Sequence, residues 1–185
     1  ILEDMIDEFG NTNHNLNIYC TTKITDMSYL FYSSNSSSTF NQSLDSWDVS
    51  NVTDMSNMFN LAVKFNGDIS NWNVGNVVKM RSMFDNAQSF NSDLSNWNVR
   101  NVQDMISMFN DAKNYNGDIS YWNVNKVTNF DSMFQNCENF NQALNAWDVS
   151  NVITMNSMFN GASAFNQNLK LWNISLNVCL LRTTS

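Results

Sequence analysis

The chain of 185 residues carries 9 basic against 17 acidic side chains, a formal net charge of −8, with the basic residues scattered rather than gathered into a run. That balance removes the cationic footprint that phosphate-backbone binding needs and disfavours anionic membrane surfaces, so nucleic acid is not an expected partner. No apolar run approaches the roughly 20 residues of a membrane span, and an Asn-rich, proline-free composition with 11 Met, 13 Phe and 6 Trp points to internal repetition.

In chain order, residues 1–18 read as an N-terminal helical cap. Leu2, Met5, Ile6 and Phe9 fall at helical spacing with Gly10 behind them, as in an amphipathic helix laid over a first coil. The acids of this stretch stand where a secretory signal would carry a cation, so it is not a signal peptide. Residues 19–39 form a degenerate first coil: Tyr19, Ile24, Met27, Leu30 and Phe31 match Trp47, Val52, Met55, Met58 and Phe59 at an offset of 28. The extra length lies between Ser33 and Thr39, a Ser-rich insertion.

Residues 40–178 hold regular 25-residue repeats, since Trp stands at 47, 72, 97, 122, 147 and 172 and nowhere else. The unit reads F-N-x-x-[LI]-x-x-W-[ND]-V-x-N-V-x-x-M-x-x-M-F-x-x-A, with substitutions that include Tyr115 in the Phe place and Cys137 in the Ala place. Around Trp47 and Val49 apolar and polar residues alternate, which predicts a short strand with one buried face. Val52, Met55, Phe59 and Ala62 fall on one helical stripe, and Asn51 with Asp54, like Asn101 with Asp104, resembles a capping pair, so a short helix is expected there.

One such unit cannot bury its own apolar side chains, so the coils must stack. The expected fold is an α/β solenoid, a pile of coils with short parallel strands on one face and short helices on the other. The six Trp are expected inside, and the Asn after each aromatic in a ladder between coils. Residues 179–185 form a C-terminal tail. No amphipathic cap follows Val178, so this edge is expected to continue into another segment or to meet a partner.

The repeated F-N-x-x-L-x-x-W-x-V-x-N-V-x-x-M-x-x-M-F frame, from residue 19 to about 178, resembles the BspA-like surface-protein repeat of mycoplasmas and other microbes. That resemblance, to a relative of the leucine-rich repeats, implies a leucine-rich-repeat-like solenoid, an extracellular or cell-surface location, roles in adhesion or recognition, and no catalytic motif.

The residues themselves carry little chemistry. His14 is the only histidine and has no recurring nucleophile beside it, so no catalytic residue is assigned. Asn66-Gly67-Asp68 and Asn116-Gly117-Asp118 are not matched in the other units, so neither a metal site nor a cofactor is expected.

Outward positions on the strand face give the candidate recognition row Asp48, Asn73, Asn98, Asn123, Asp148 and Asn173. Its expected partner is a protein or glycan ligand. The alternative is copies of the chain itself, stacked head to tail into filaments through Cys20, Cys179, Leu180 and Leu181. Asn35 and Asn173 lie in sequons and are the candidate glycosylation sites.

Overall fold

The structure, a computed structural model, describes residues 16–33 and 38–174. Most of the expected N-terminal cap, Asn35, Cys179, Leu180, Leu181 and the tail lie outside the described residues.

Coils do stack in register, but not as strands and helices. Among the described residues the only helix is a three-residue 3₁₀ turn, Leu16–Ile18. The only β pairing there is one isolated parallel bridge per coil, running Asp26, Asp54, Lys79, Asp104, Asn129, Thr154. The expected α/β, leucine-rich-repeat-like architecture is therefore wrong. The coils are built from consecutive β-turns.

The reason is visible in where the backbone amides point. In the stretch read as a helix, Met58, Asn60 and Ala62 donate to the carbonyls three residues back, Met55, Asn57 and Phe59, at 3.0–3.2 Å. The alternate amides of Met55, Asn57, Phe59 and Leu61 donate instead to Lys79, Arg81, Met83 and Asp85 of the next coil, at 2.8–2.9 Å. An α-helix needs every amide for its own carbonyl four residues back, and half of these are committed elsewhere. The third residue of alternate turns is left-handed, with φ of 58° at Asn57 and 61° at Leu61, repeated at Ser82 and Asn86 and onward to Ser157 and Gly161. A left-handed residue every fourth position ends any helix, while the turns still place Met55, Met58, Phe59 and Ala62 on one side.

The expected strand fails in a similar way. Trp47 N–H turns back to Leu44 O at 3.0 Å and Val52 N–H to Val49 O at 2.9 Å, leaving only Trp47–Val49 extended between two turns. Trp47 and Val49 nevertheless point inward, and all six Trp are buried as expected.

The core is a set of aromatic columns. Each coil lays two rings nearly parallel, Phe59 on Phe65 at 3.9 Å and Phe109 on Tyr115 at 4.0 Å between centroids. Trp97 lies parallel to Trp72 and Trp122 at 6.2 and 6.5 Å. Offset parallel stacking of this kind suits the ring quadrupoles better than direct overlap. Cys137, in the Ala place, is fully buried, donates to Ala112 O at 3.2 Å, and has its thiol pushed up by burial. It is a packing residue, as its position in the repeat predicts.

Candidate functional site

Three side-chain ladders lock one coil to the next and fix what the surface can present. Every described indole donates from Nε1 to a carbonyl of the preceding coil: Trp47 to Leu16, Trp72 to Leu44, Trp97 to Ile69, Trp122 to Leu94, Trp147 to Ile119 and Trp172 to Leu144, at 2.8–3.1 Å. Each buried donor is thereby satisfied within the core.

The expected Asn ladder is present on the surface. Asn41 Oδ1 accepts from Asn66 N, and the same bond recurs through Asn91, Asn116 and Asn141 to Asn166, at 2.6–3.0 Å.

A third ladder replaces the expected helix caps. Asn51 Nδ2 donates to Thr22 O, Asn76 to Ser50 O, Asn101 to Gly75 O and Asn151 to Asn125 O, at 2.7–2.8 Å. Asn51 and Asn101 therefore join coils rather than start helices. Lys126, at the equivalent place, keeps the connection by donating from Nζ to Asn101 Oδ1 at 2.8 Å.

The row Asp48, Asn73, Asn98, Asn123, Asp148 and Asn173 is exposed throughout. Its side chains are also structural, because Asp48 Oδ1 accepts from Ser50 N at 3.0 Å and Asp148 Oδ1 from Ser150 N at 3.1 Å, closing local turns. Asn73 and Asn123 make the same turn with Gly75 and Asn125 at 3.2 Å. The Ser50 hydroxyl and amide hold the Asp48 carboxyl below its ordinary value, and Ser150 does the same to Asp148. Both stay ionised down to acid pH, giving a row that is polar and weakly anionic.

One residue of this face is not found by reading the repeat for its consensus. Tyr121 is 88% exposed, next to buried Trp122 and two residues from exposed Asn123. Its place is Ser46, Asn71, Asn96, Ala146 and Leu171 in the other units, the last of these also exposed, so Tyr121 is the one aromatic at this position. That departure is the signal by which the sequence could have shown it.

Other expected residues are dispersed. Cys20 is exposed, and its thiol is lowered by hydrogen bonding to Thr22, 3.2 Å away. Its expected contacts Cys179, Leu180 and Leu181 fall outside the described residues. Asn173 is exposed.

On a neighbouring face the bridge column carries charge, with Lys79 Nζ 2.9 Å from Asp54 Oδ2 and Arg81 3.7 Å from Asp104. Partial burial raises the Asp54 carboxyl, but bonds from Lys79 and Ser56 outweigh it and the net shift is downward.

Asp85 behaves oppositely. Burial pushes its carboxyl up, although Asn86 Nδ2 and Asn110 Nδ2 donate to its Oδ1 at 2.9 and 2.8 Å. A carboxyl raised on folding costs stability above its folded value, and the cost vanishes as pH falls below the unfolded value. Asp85→Asn is therefore expected to stabilise at neutral pH by no more than about 1 kcal/mol, because solvent screens this partly exposed group. Denaturant titrations of both chains should converge in acid, and a gap that widens there contradicts the assignment.

Among the described residues no helix is long and apolar enough to cross a membrane, and no group of three or more His, Cys, Asp or Glu is placed to hold a metal ion. The class defined by these features is a stack of turn-built coils joined by side-chain ladders. The chain belongs to the family described as Mycoplasma protein of unknown function, DUF285, which matches residues 1–122 and again 93–179. No curated protein matches it.

Proposed function

We propose that the chain is a non-enzymatic extracellular or cell-surface repeat protein that binds a glycan or protein ligand along the row from Asp48 to Asn173. The supporting observation is Tyr121, an almost fully exposed aromatic beside outward amides in a stack whose Trp column is drawn into the core. A tyrosine supplies a flat apolar face with a polar tip at little entropic cost, and the neighbouring Asn98 and Asn123 supply donors. The likeness of the repeat to BspA-like surface proteins supports an address outside the cell and a role in adhesion.

The test is binding to glycan and matrix-protein arrays by the parent chain and by Tyr121→Ala combined with Asn98→Ala. The double variant is expected to lose at least about tenfold in affinity for whatever the parent binds, as for other exposed aromatic anchors. Trp fluorescence checks that the core is intact. Equal binding by a folded variant removes this face from consideration.

A second reading, head-to-tail self-assembly, is favoured by one observation. Phe165, Leu169 and Ile174 of the last described coil are only partly buried, whereas the matching Phe140, Leu144 and Val149 are closed over. Against it stands Tyr19, which occupies the indole position of the first coil and has no Nε1 donor to offer a neighbouring copy. Light scattering of concentrated protein separates the readings, because a single monodisperse species eliminates filaments, and a non-reducing gel tests a link between Cys20 and Cys179.

A further inference from the structure

Three Asn–Gly steps occur in the chain: Asn66–Gly67, Asn116–Gly117 and Asn160–Gly161. Glycine lacks the Cβ that would keep its backbone nitrogen away from the preceding side chain. That nitrogen can attack the Asn Cγ, forming a new C–N bond as the Cγ–Nδ2 bond breaks. The displaced proton leaves with Nδ2 as ammonia, and solvent water then opens the cyclic succinimide to aspartate or isoaspartate.

The ladders separate these three steps. Asn66 Oδ1 accepts from Asn91 N at 2.7 Å, and Gly67 is buried. Asn116 Oδ1 accepts from Asn141 N at 2.9 Å and from Gln142 Nε2 at 3.0 Å. Turning either Cγ toward the glycine nitrogen requires these bonds between coils to break.

Asn160 has no such hold. Its side chain is exposed and makes no hydrogen bond among the described residues. At the position of Gly161, the amides of Leu61, Asn86, Asp111 and Asn136 each donate to the following coil at 2.7–2.8 Å. The Gly161 amide donates to no described residue, and Gly161 is itself exposed and left-handed, with φ of 75°. The Asn160 side chain and the Gly161 N–H are thus free of such bonds in the last described coil, where local opening costs least, and the peptide unit between them is held through the Asn160 carbonyl, which accepts from Asn136 N.

From this contrast we infer that Asn160–Gly161 is a site of spontaneous conversion to aspartate and isoaspartate, while the other two steps are protected by their neighbours. The conversion has a structural consequence. Asn160 O accepts from Asn136 N at 2.7 Å, and Phe159 O from Ala162 N at 3.1 Å. An isoaspartate routes the main chain through the side chain, lengthens it by a methylene and takes that carbonyl out of register, so the last coil loosens as the protein ages.

Peptide mapping by mass spectrometry, after incubation of the full chain in warm, mildly alkaline buffer, tests this at all three sites. In the native chain Asn160 is expected to convert at least about tenfold faster than Asn66 and Asn116, the difference being set by local opening. In denaturant the three rates should converge. Asn160→Gln, whose longer side chain closes a ring far more slowly, should abolish the early product. Equal native rates, a lead at Asn66 or Asn116, or a native Asn160 that stays intact while the denatured chain converts would each overturn the assignment.

Discussion

Trp97→Ala is expected to destabilise the array by about 3 to 5 kcal/mol, the range for removing a large buried aromatic. The indole is 3% exposed, lies between Trp72 and Trp122, and bonds from Nε1 to Ile69 O at 3.1 Å. Its loss removes packing on both sides and the donor that ties its coil to the one before. Since each coil touches only its neighbours, the damage should also divide the stack, and denaturant unfolding should change from one transition to two. Trp172→Ala is expected to cost less, because this indole has only Trp147 beside it among the described Trp. Trp97→Phe separates the contributions: it keeps much of the packing, loses the bond, and should cost about 1 to 2 kcal/mol. Small, equal effects at Trp97 and Trp172 would mean that the indole column does not hold the coils together.

Tyr115→Phe is expected to act in the opposite direction, stabilising by about 1 to 2 kcal/mol, because a buried hydroxyl with no partner carries an uncompensated desolvation cost. Tyr115 is fully buried, its hydroxyl has no hydrogen-bond partner, and burial drives its acidity far down, with the pKa well above the ordinary value. The neighbouring rings of this column are Phe90 and Phe140, so the phenyl shape is already accommodated. The hydroxyl also occupies space over Gly117: a Cβ built there would lie 2.9 Å from it. Gly117→Ala should therefore be better tolerated in the Tyr115→Phe chain than in the parent, a coupling that a double-mutant cycle measures directly. Thermal unfolding of the four chains is sufficient, and a destabilised Tyr115→Phe would reveal a partner for that hydroxyl.

The repeat made the tertiary arrangement legible while concealing the local one. Spacing of the Trp positions forces equivalent residues into columns, so the stacking, the inward indoles, the Asn66-to-Asn91 type of bond and the packing role of Cys137 all follow from the sequence. Met55, Met58, Phe59 and Ala62 misled because a turn recurring every four residues buries the same positions as a helix. The contrary signal was present in the polar places between them. Asn57, Ser82, Asn86, Ser107, Asp111, Ser132, Asn136 and Ser157 are mostly residues that tolerate left-handed backbone or favour turns, and they are poor choices for a helix interior. Leu61, at 61° in the same series, shows that position in the stack can impose the conformation on a residue that does not favour it. On the candidate face, the Asp and Asn row was readable from alternation, but its closure of local turns was not, and Tyr121 stands at a position that the consensus leaves open.

The way the coils connect also governs how such a chain can change length. Indole bonds span 28 residues where no extra segment intervenes, and Asn66-type bonds span 25. Loss or gain of one whole unit therefore returns every donor to an equivalent acceptor, whereas a shorter slip inside a unit misaligns all three ladders together. The bridge from Asp26 to Asp54 spans 28 residues rather than 25, with the surplus taken up between Ser33 and Thr39. Variation within the stack is thus quantised, a rule that favours growth by duplication of entire modules.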